Sequence, residues 1–170
     1  MNYVIFKTKW GHFGLAGTEQ GLCRTFLPVA EPDLIKACFL REFPQAKFDK
    51  NLFQNLQKQI IAYFEGENVV FNTDNAVFLN GYSEFAKSIL NTCQKIKFGQ
   101  TATYKELAQK AGYPQASRAV GNVLARNPIP LIIPCHRIIQ SDGKLGGFTA
   151  IGGKNLKKRL LKHEANTLKY

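Results

Sequence analysis

Near residue 78 of this 170-residue chain the charge and the hydrophobic periodicity change together, and that coincidence limits the folds open to it. Residues 1–80 hold eight Lys or Arg against eight Asp or Glu. Residues 81–170 hold fifteen against four, so the whole net charge of +11 lies in the second half. A chain of this length forms one domain or two small ones, and the division predicts two, over residues 1–78 and 79–170. In the first, strand-like runs at residues 3–6, 12–15 and 22–27 are separated by Gly11, Gly17 and Gly21, which predicts a small antiparallel sheet. Helical patterns follow over residues 31–42, opened by Pro32, and over residues 51–65, where Leu52, Leu56, Ile60 and Phe64 fall on one stripe. Residues 66–81 are rich in turn formers. The expected class is α+β.

The basic half is mostly helical in pattern. Residues 83–93 put Phe85, Ile89 and Leu90 on one face, and either Thr101 or Thr103 is placed to cap a short helix through Leu107 and Ala108. Gly112-Tyr113-Pro114 marks a turn before a second helix over residues 115–126. That helix is slim, with Ala116, Ser117, Ala119, Gly121 and Ala125, and it carries Arg118 near its amino end. Helix, turn and slim arginine-bearing helix is the order of a helix-turn-helix, although small residues equally permit close helix packing. Segregation of all the excess charge onto this half points to a polyanionic partner, nucleic acid before an anionic membrane surface. No apolar stretch has the length of a membrane span, and residues 1–7 lack the pattern of a signal peptide, so a cytoplasmic location is expected.

Cys23, Cys38, Cys93 and Cys135 are widely spaced without a Cys-x-x-Cys pair, which favours reduced thiols. His12 and Cys23 are too few to hold zinc, and no metal is expected. Cys135 stands apart from the others, in the run Asn-Pro-Ile-Pro-Leu-Ile-Ile-Pro-Cys-His-Arg-Ile-Ile at residues 127–139. A lone cysteine on an apolar segment is ordinarily a small buried hydrophobe. Here Pro134 fixes the backbone just before the thiol, and His136 and Arg137 are groups that favour a thiolate. Successive side chains of an extended chain point apart, so His136 reaches the sulfur only through a turn at Cys135 or a bridging water.

Four ordered blocks carry a resemblance. They are Phe98-Gly99-Gln100-Thr101-Ala102-Thr103-Tyr104 with Glu106-Leu107-Ala108, Ser117-Arg118-Ala119-Val120-Gly121, Asn127-Pro128 through Pro134-Cys135-His136-Arg137, and Leu160-Leu161 with Glu164. Together they resemble the O6-alkylguanine-DNA alkyltransferases, also called methylated-DNA-protein-cysteine methyltransferases. The resemblance implies a ribonuclease-H-like amino-terminal α/β domain followed by a mostly helical, winged-helix-like domain that binds DNA. It implies irreversible transfer of the alkyl group from O6-methylguanine, and from O4-methylthymine, in double-stranded DNA to Cys135. His136 is then linked to the thiol through water and oriented by Glu164, while Asn127 braces the turn before the active segment. Arg118 enters the duplex in place of the extruded base, Tyr104 crowds the neighbouring phosphate, and Ala119 and Gly121 let the helix lie in the minor groove, with Thr103 among the DNA contacts. Pro134, Ile138, Phe148 and Thr149 line the pocket. No repeat or heptad suggests an oligomer, so a monomer is expected, no cofactor is expected, and with no added cysteine-rich amino-terminal module no transcriptional role of the kind that fused regulators have is expected.

One departure stands in the pocket loop, where Phe148-Thr149-Ala150-Ile151 precedes Gly152-Gly153 and is two residues longer than the commonest pattern. Phe148 can stack on a base but has no hydroxyl, and Thr149 offers a substitute hydroxyl or a backbone N–H. Lys157 sits at the family's lysine position, and Lys154, Lys157, Lys158, Arg159 and Lys162 are expected to touch phosphates, against the plainer reading of a solvated helix face. Two other classes compete: a protein that binds alkylated DNA without accepting the group, against which Cys135 argues, and a thiol hydrolase, for which no oxyanion hole is visible.

Overall fold

The computed structural model describes residues 1–71 and 77–169, so part of the turn-rich stretch expected at residues 66–81 lies outside the described residues. The chain divides into two compact units, Met1–Phe78 and Leu79–Tyr170.

In the first unit β1 (Asn2–Thr8), β2 (Gly11–Thr18) and β3 (Gly21–Val29) form an antiparallel meander, and the short β4 (Lys47–Phe48) adds to β1 in parallel. The strand order is β3-β2-β1-β4. Both faces of the sheet are apolar because both carry a helix. Tyr3 and Ala16 meet Ile35 and Phe39 of α1 (Pro32–Glu42), whereas Phe13, on the opposite face, stacks against Phe64 of α2 (Gln54–Glu65). Gly14 is required where α1 crosses: a Cβ there would stand 2.5 Å from Ile35 Cγ2. The second helix begins at Gln54 and not at residue 51. Asp49 Oδ1 accepts the Asn51 N–H at 2.9 Å and Phe53 adopts φ 52°, so residues 51–53 turn and Leu52 stays outside the helix.

In the second unit α3 (Glu84–Gln94), α4 (Tyr104–Lys110) and α5 (Ser117–Ala125) pack around Ile89, Leu90, Cys93, Leu107, Ala108, Val120 and Leu124, all buried. Thr103, not Thr101, caps α4: its hydroxyl accepts from the Glu106 N–H at 3.1 Å and the Glu106 carboxylate accepts from the Thr103 N–H at 2.7 Å. The second helix of the pair is shorter than its periodicity, since Ala116 already leaves helical geometry as its N-cap. After α5 the proline-punctuated segment runs buried without regular structure. It ends in one turn of 3₁₀ helix at Cys135–Arg137 and the strand β6 (Ile138–Ile139), which pairs in parallel with β5 (Ala102–Thr103). That two-residue ladder holds the segment after Cys135 beside the start of α4. The long α6 (Gly153–Thr167) closes the unit and buries Lys157, Leu160 and Glu164.

Candidate active site

The Pro134-Cys135-His136-Arg137 segment owes its shape to an asparagine. Asn127 Nδ2 donates to the Ile133 carbonyl at 2.9 Å and its Oδ1 accepts from the Ile129 N–H at 3.1 Å, so one side chain satisfies two backbone groups of a segment in which Pro128, Pro130 and Pro134 supply no N–H. Leu131 sits at φ 79°, an uncommon conformation for a branched side chain, and is held there by complete burial of its neighbours Ile129 and Ile133. The chain then turns on the Cys135 N–H to Ile133 carbonyl bond at 2.8 Å and enters the 3₁₀ turn. This is the turn at Cys135 that an extended chain would lack.

Within that turn His136 and Arg137 converge on one carboxylate. His136 Nε2 lies 2.8 Å from Glu164 Oε1. Arg137 Nη2 donates to Oε1 at 2.9 Å and its Nε to Oε2 at 3.0 Å, while Nη1 reaches the Ile96 carbonyl at 2.6 Å. The Gly99 N–H donates to Oε2 at 2.9 Å. Glu164 is fully buried; burial alone would push its carboxyl up, but the bonds from His136 and Arg137 outweigh it and hold the group down at about 2. With Oε1 anionic, the proton between the two groups is assigned to His136 Nε2, which makes Nδ1 the basic nitrogen. Burial lowers the imidazole below its ordinary value despite Glu164, so His136 is neutral at rest. Its Nδ1 is buried without a hydrogen-bond partner among the described residues.

Cys135 itself is buried, and that burial raises its thiol above the ordinary range in spite of Asn127 and Lys157, which lower it. At rest desolvation outweighs the groups that favour a thiolate, and Arg137, one of the two expected to do so, is committed to Glu164. Arg137 thus serves the site by fixing the carboxylate, a role its place beside the cysteine did not signal.

Above the sulfur lies a cavity of about 160 Å³ lined by Tyr104, Gly121, Leu124, Ala125, Cys135, Gly147, Phe148 and Thr149, room for one planar ring system and less than a drug-sized ligand needs. Of the expected pocket residues Phe148 and Thr149 line it. Pro134 and Ile138, expected to line it as well, are buried near Cys135 in the chain but are not among the lining residues. Thr149 does not offer a free hydroxyl proton, because its Oγ1 donates to the Ala125 carbonyl at 2.9 Å and straps the loop to the end of α5. Tyr104 stands on the cavity wall, where a Cβ added at Gly146 would collide with its hydroxyl and approach its Cζ within 2.8 Å. Gly121 lines the cavity too, and a Cβ there would meet the Tyr104 ring only at an ordinary contact distance of 3.9 Å. Arg118 is exposed and Ala119 half-buried near the start of α5, and Thr103 is occupied as the cap of α4.

Lys157 departs most from its sequence reading. It is fully buried, its Nζ donates to the Ile138 carbonyl, and it lies 5.9 Å from the Tyr104 ring centroid, so it touches no phosphate. Burial lowers its ammonium below the ordinary lysine range, while Cys135 opposes that change. Among the described residues no group of three or more His, Cys, Asp or Glu is placed to hold a metal ion, and no helix is long and apolar enough to cross a membrane.

Comparisons with known proteins identify the family. Residues 84–166 match the family described as 6-O-methylguanine DNA methyltransferase, DNA binding domain, and residues 1–74 its ribonuclease-like domain. The chain is 38% identical to the methylated-DNA–protein-cysteine methyltransferase of Methanosarcina acetivorans over 98% of its own length and 99% of the relative's. It is 35% identical to the protein of that name from Sulfolobus acidocaldarius, over 95% and 92% of the two chains. The crystal structure of Mycobacterium tuberculosis OGT in complex with DNA superposes with a TM-score of 0.82 at 31% identity, covering 98% of this chain and 94% of that one. With both units matched in order along nearly the whole chain, this protein belongs to the 6-O-methylguanine DNA methyltransferase family.

Proposed function

We propose that this protein repairs DNA by taking the alkyl group of O6-methylguanine onto Cys135, once per molecule. The observation that carries the reading is the thiol on the floor of a one-ring cavity with the neutral His136 and the ionised Glu164 behind it. The O6 substituent cannot meet a buried sulfur while its base is stacked. The nucleotide is therefore extruded into the cavity, between Phe148 and the wall made by Tyr104, and a lesion-weakened pair costs less to open. Exposed Arg118 at the start of α5 fills the space left in the duplex, and the small residues of that helix admit it to the minor groove, where base readout is weak.

In the transfer step Sγ attacks the alkyl carbon. The S–C bond forms as the C–O6 bond breaks, and the electron pair of that bond passes to O6. The thiol proton moves through a bridging water to Nδ1 of His136, the buried acceptor whose opposite nitrogen donates to Glu164. Tyr104, whose hydroxyl burial keeps protonated, passes that proton to the departing purine, which leaves as neutral guanine, and the proton taken up by His136 returns through water to the Tyr104 oxygen. A thioether has no hydrolytic exit comparable to that of an acyl-enzyme, so the acceptor is not regenerated. The same chemistry extends to O4-methylthymine, a smaller ring with the same alkyl–oxygen bond.

Mixing the protein with excess duplex containing O6-methylguanine and recording intact and peptide masses tests this. The expected result is one added methyl on the peptide that holds Cys135, saturating at one per protein and absent in Cys135→Ala. Lesion binding without any mass gain would instead make the protein a non-catalytic binder of alkylated DNA.

A further inference from the structure

Lys154, Lys158 and Lys162 recur at four-residue spacing along α6 and are all exposed, on the flank next to the buried Lys157, Leu160 and Glu164. Their spacing places three like charges in a row with nothing between them to offset the repulsion. Only four carboxylates exist in residues 79–170, and each is engaged elsewhere: Glu84 with Lys87, Glu106 with the Thr103 cap, Asp142 with Lys144, and Glu164 with His136 and Arg137. The first turn of α6 contains no acidic residue and the last turn no basic one, the reverse of what a helix dipole favours. A helix arranged against its own electrostatics is relieved by an anionic partner.

The geometry points to duplex DNA as that partner: we infer that Lys154, Lys158 and Lys162 form a second phosphate track, separate from the helix-turn-helix, that holds the duplex beside the cavity. The inference rests on the reading of this protein as a DNA alkyltransferase. α6 starts at Gly153, four residues after the cavity-lining Thr149, so the row begins close in the chain to the rim over which a flipped nucleotide's backbone must pass. From Lys154 to Lys162 the helix rises about 12 Å, a length of duplex that carries about seven phosphate charges. A membrane surface fits less well. The face of α6 that would enter a bilayer is already occupied by the unit's own core at Leu160 and Glu164, which leaves no apolar side to insert.

The test uses the full chain and undamaged duplex DNA, so that it does not depend on alkyl transfer. Binding constants are measured between 50 and 200 mM salt for the wild type, for K154Q/K158Q/K162Q, and for the control K7Q/K50Q/K58Q, which removes the same charge from the electrically neutral first half. Glutamine keeps helix propensity close to that of lysine, and circular dichroism checks the fold. Two to three lost phosphate contacts should lower the slope of log K against log salt by roughly 2 to 3, so that over this range the wild type loses ~10- to 40-fold more affinity than the α6 variant. The control should keep the wild-type slope. Equal slopes for wild type and α6 variant overturn the inference, as does an equal loss in the control. Loss of binding to phosphatidylserine vesicles with an unchanged DNA slope overturns it in favour of a membrane surface. If the wild type accepts no methyl group in the mass assay, the functional reading fails while the slope comparison still decides the track.

Discussion

Glu164→Gln probes the centre of the site, because one buried carboxylate satisfies His136, Arg137 and the Gly99 N–H together. Glutamine keeps the shape but leaves the Arg137 guanidinium buried without its counter-ion, a loss of about 3–5 kcal/mol in comparable buried pairs. Linkage gives a second route to the size. The gap between the ordinary 4.5 and a folded value of about 2 corresponds to about 3 kcal/mol, undiminished by solvent because Glu164 is fully buried. The folded value lies below the unfolded one, so this stabilisation is complete above about pH 4.5 and is lost as pH falls towards 2. His136 adds to acid sensitivity from higher pH: its folded value is depressed, so the unfolded chain takes up a proton first below about 6.5. For a unit of this size the substitution should lower Tm by about 10–25 °C at pH 7. Hydrogen exchange of the α3 and α6 amides, which reports on this unit alone, should show the wild type and Glu164→Gln converging as pH approaches 2. A difference under about 1 kcal/mol at pH 7, or one that stays constant down to pH 2.5, would refute the assignment of an ionised, network-bound Glu164.

Other substitutions separate the pocket from its supports. Gly146→Ala drives a methyl into Tyr104 and should slow alkyl transfer by about 10²-fold through displacement of the cavity wall, with duplex affinity within about twofold of wild type in a binding titration. Asn127→Ala removes both bonds that shape residues 127–134 and should destabilise the second unit by about 2–4 kcal/mol, read by the same hydrogen-exchange assay. Lys157→Met removes a buried cation that lowers the Cys135 thiol, so the pH profile of single-turnover transfer should move to higher pH while the protein stays folded. Because burial raises that thiol, iodoacetamide at pH 8 should modify Cys135 more slowly than a cysteine in an unstructured peptide.

The sequence spoke most clearly where local chemistry decides structure. The glycine-bounded apolar runs became the meander because turn residues and alternation act within a few positions, whereas two threonines were open as the cap of α4 and only the reciprocal bonds of Thr103 and Glu106 decide between them. Boundaries slipped where a single side chain intervenes: Asp49 and the left-handed Phe53 turn residues 51–53 out of a pattern that looks helical through Leu52. The site was legible as a set of residue types but not as a set of directions. Arg137 and Lys157 are both cations near the thiol in sequence or by family position. Only the 3₁₀ turn and the packing of α6 decide that Arg137 clamps Glu164 and that Lys157 is buried against the Ile138 carbonyl. Gly146 carries no chemistry in a sequence, and its meaning appears only when Tyr104 is found against it.

These directions also explain how a buried, protonated thiol can serve as an acceptor. A resting thiolate would react with any soft electrophile that reached it, and each such event would consume the protein. Burial keeps the sulfur protonated and the imidazole neutral, so neither is reactive alone. In the reaction we propose, charge separation becomes favourable only when a ring fills the cavity and brings an alkyl carbon to the sulfur; the ionised Glu164 then stabilises the imidazolium, and the ammonium of Lys157 stabilises the sulfur as it loses its proton. On this argument the network of Glu164, His136 and Arg137 contributes to selectivity as well as to rate: it ties the loss of the thiol proton to occupancy of the cavity.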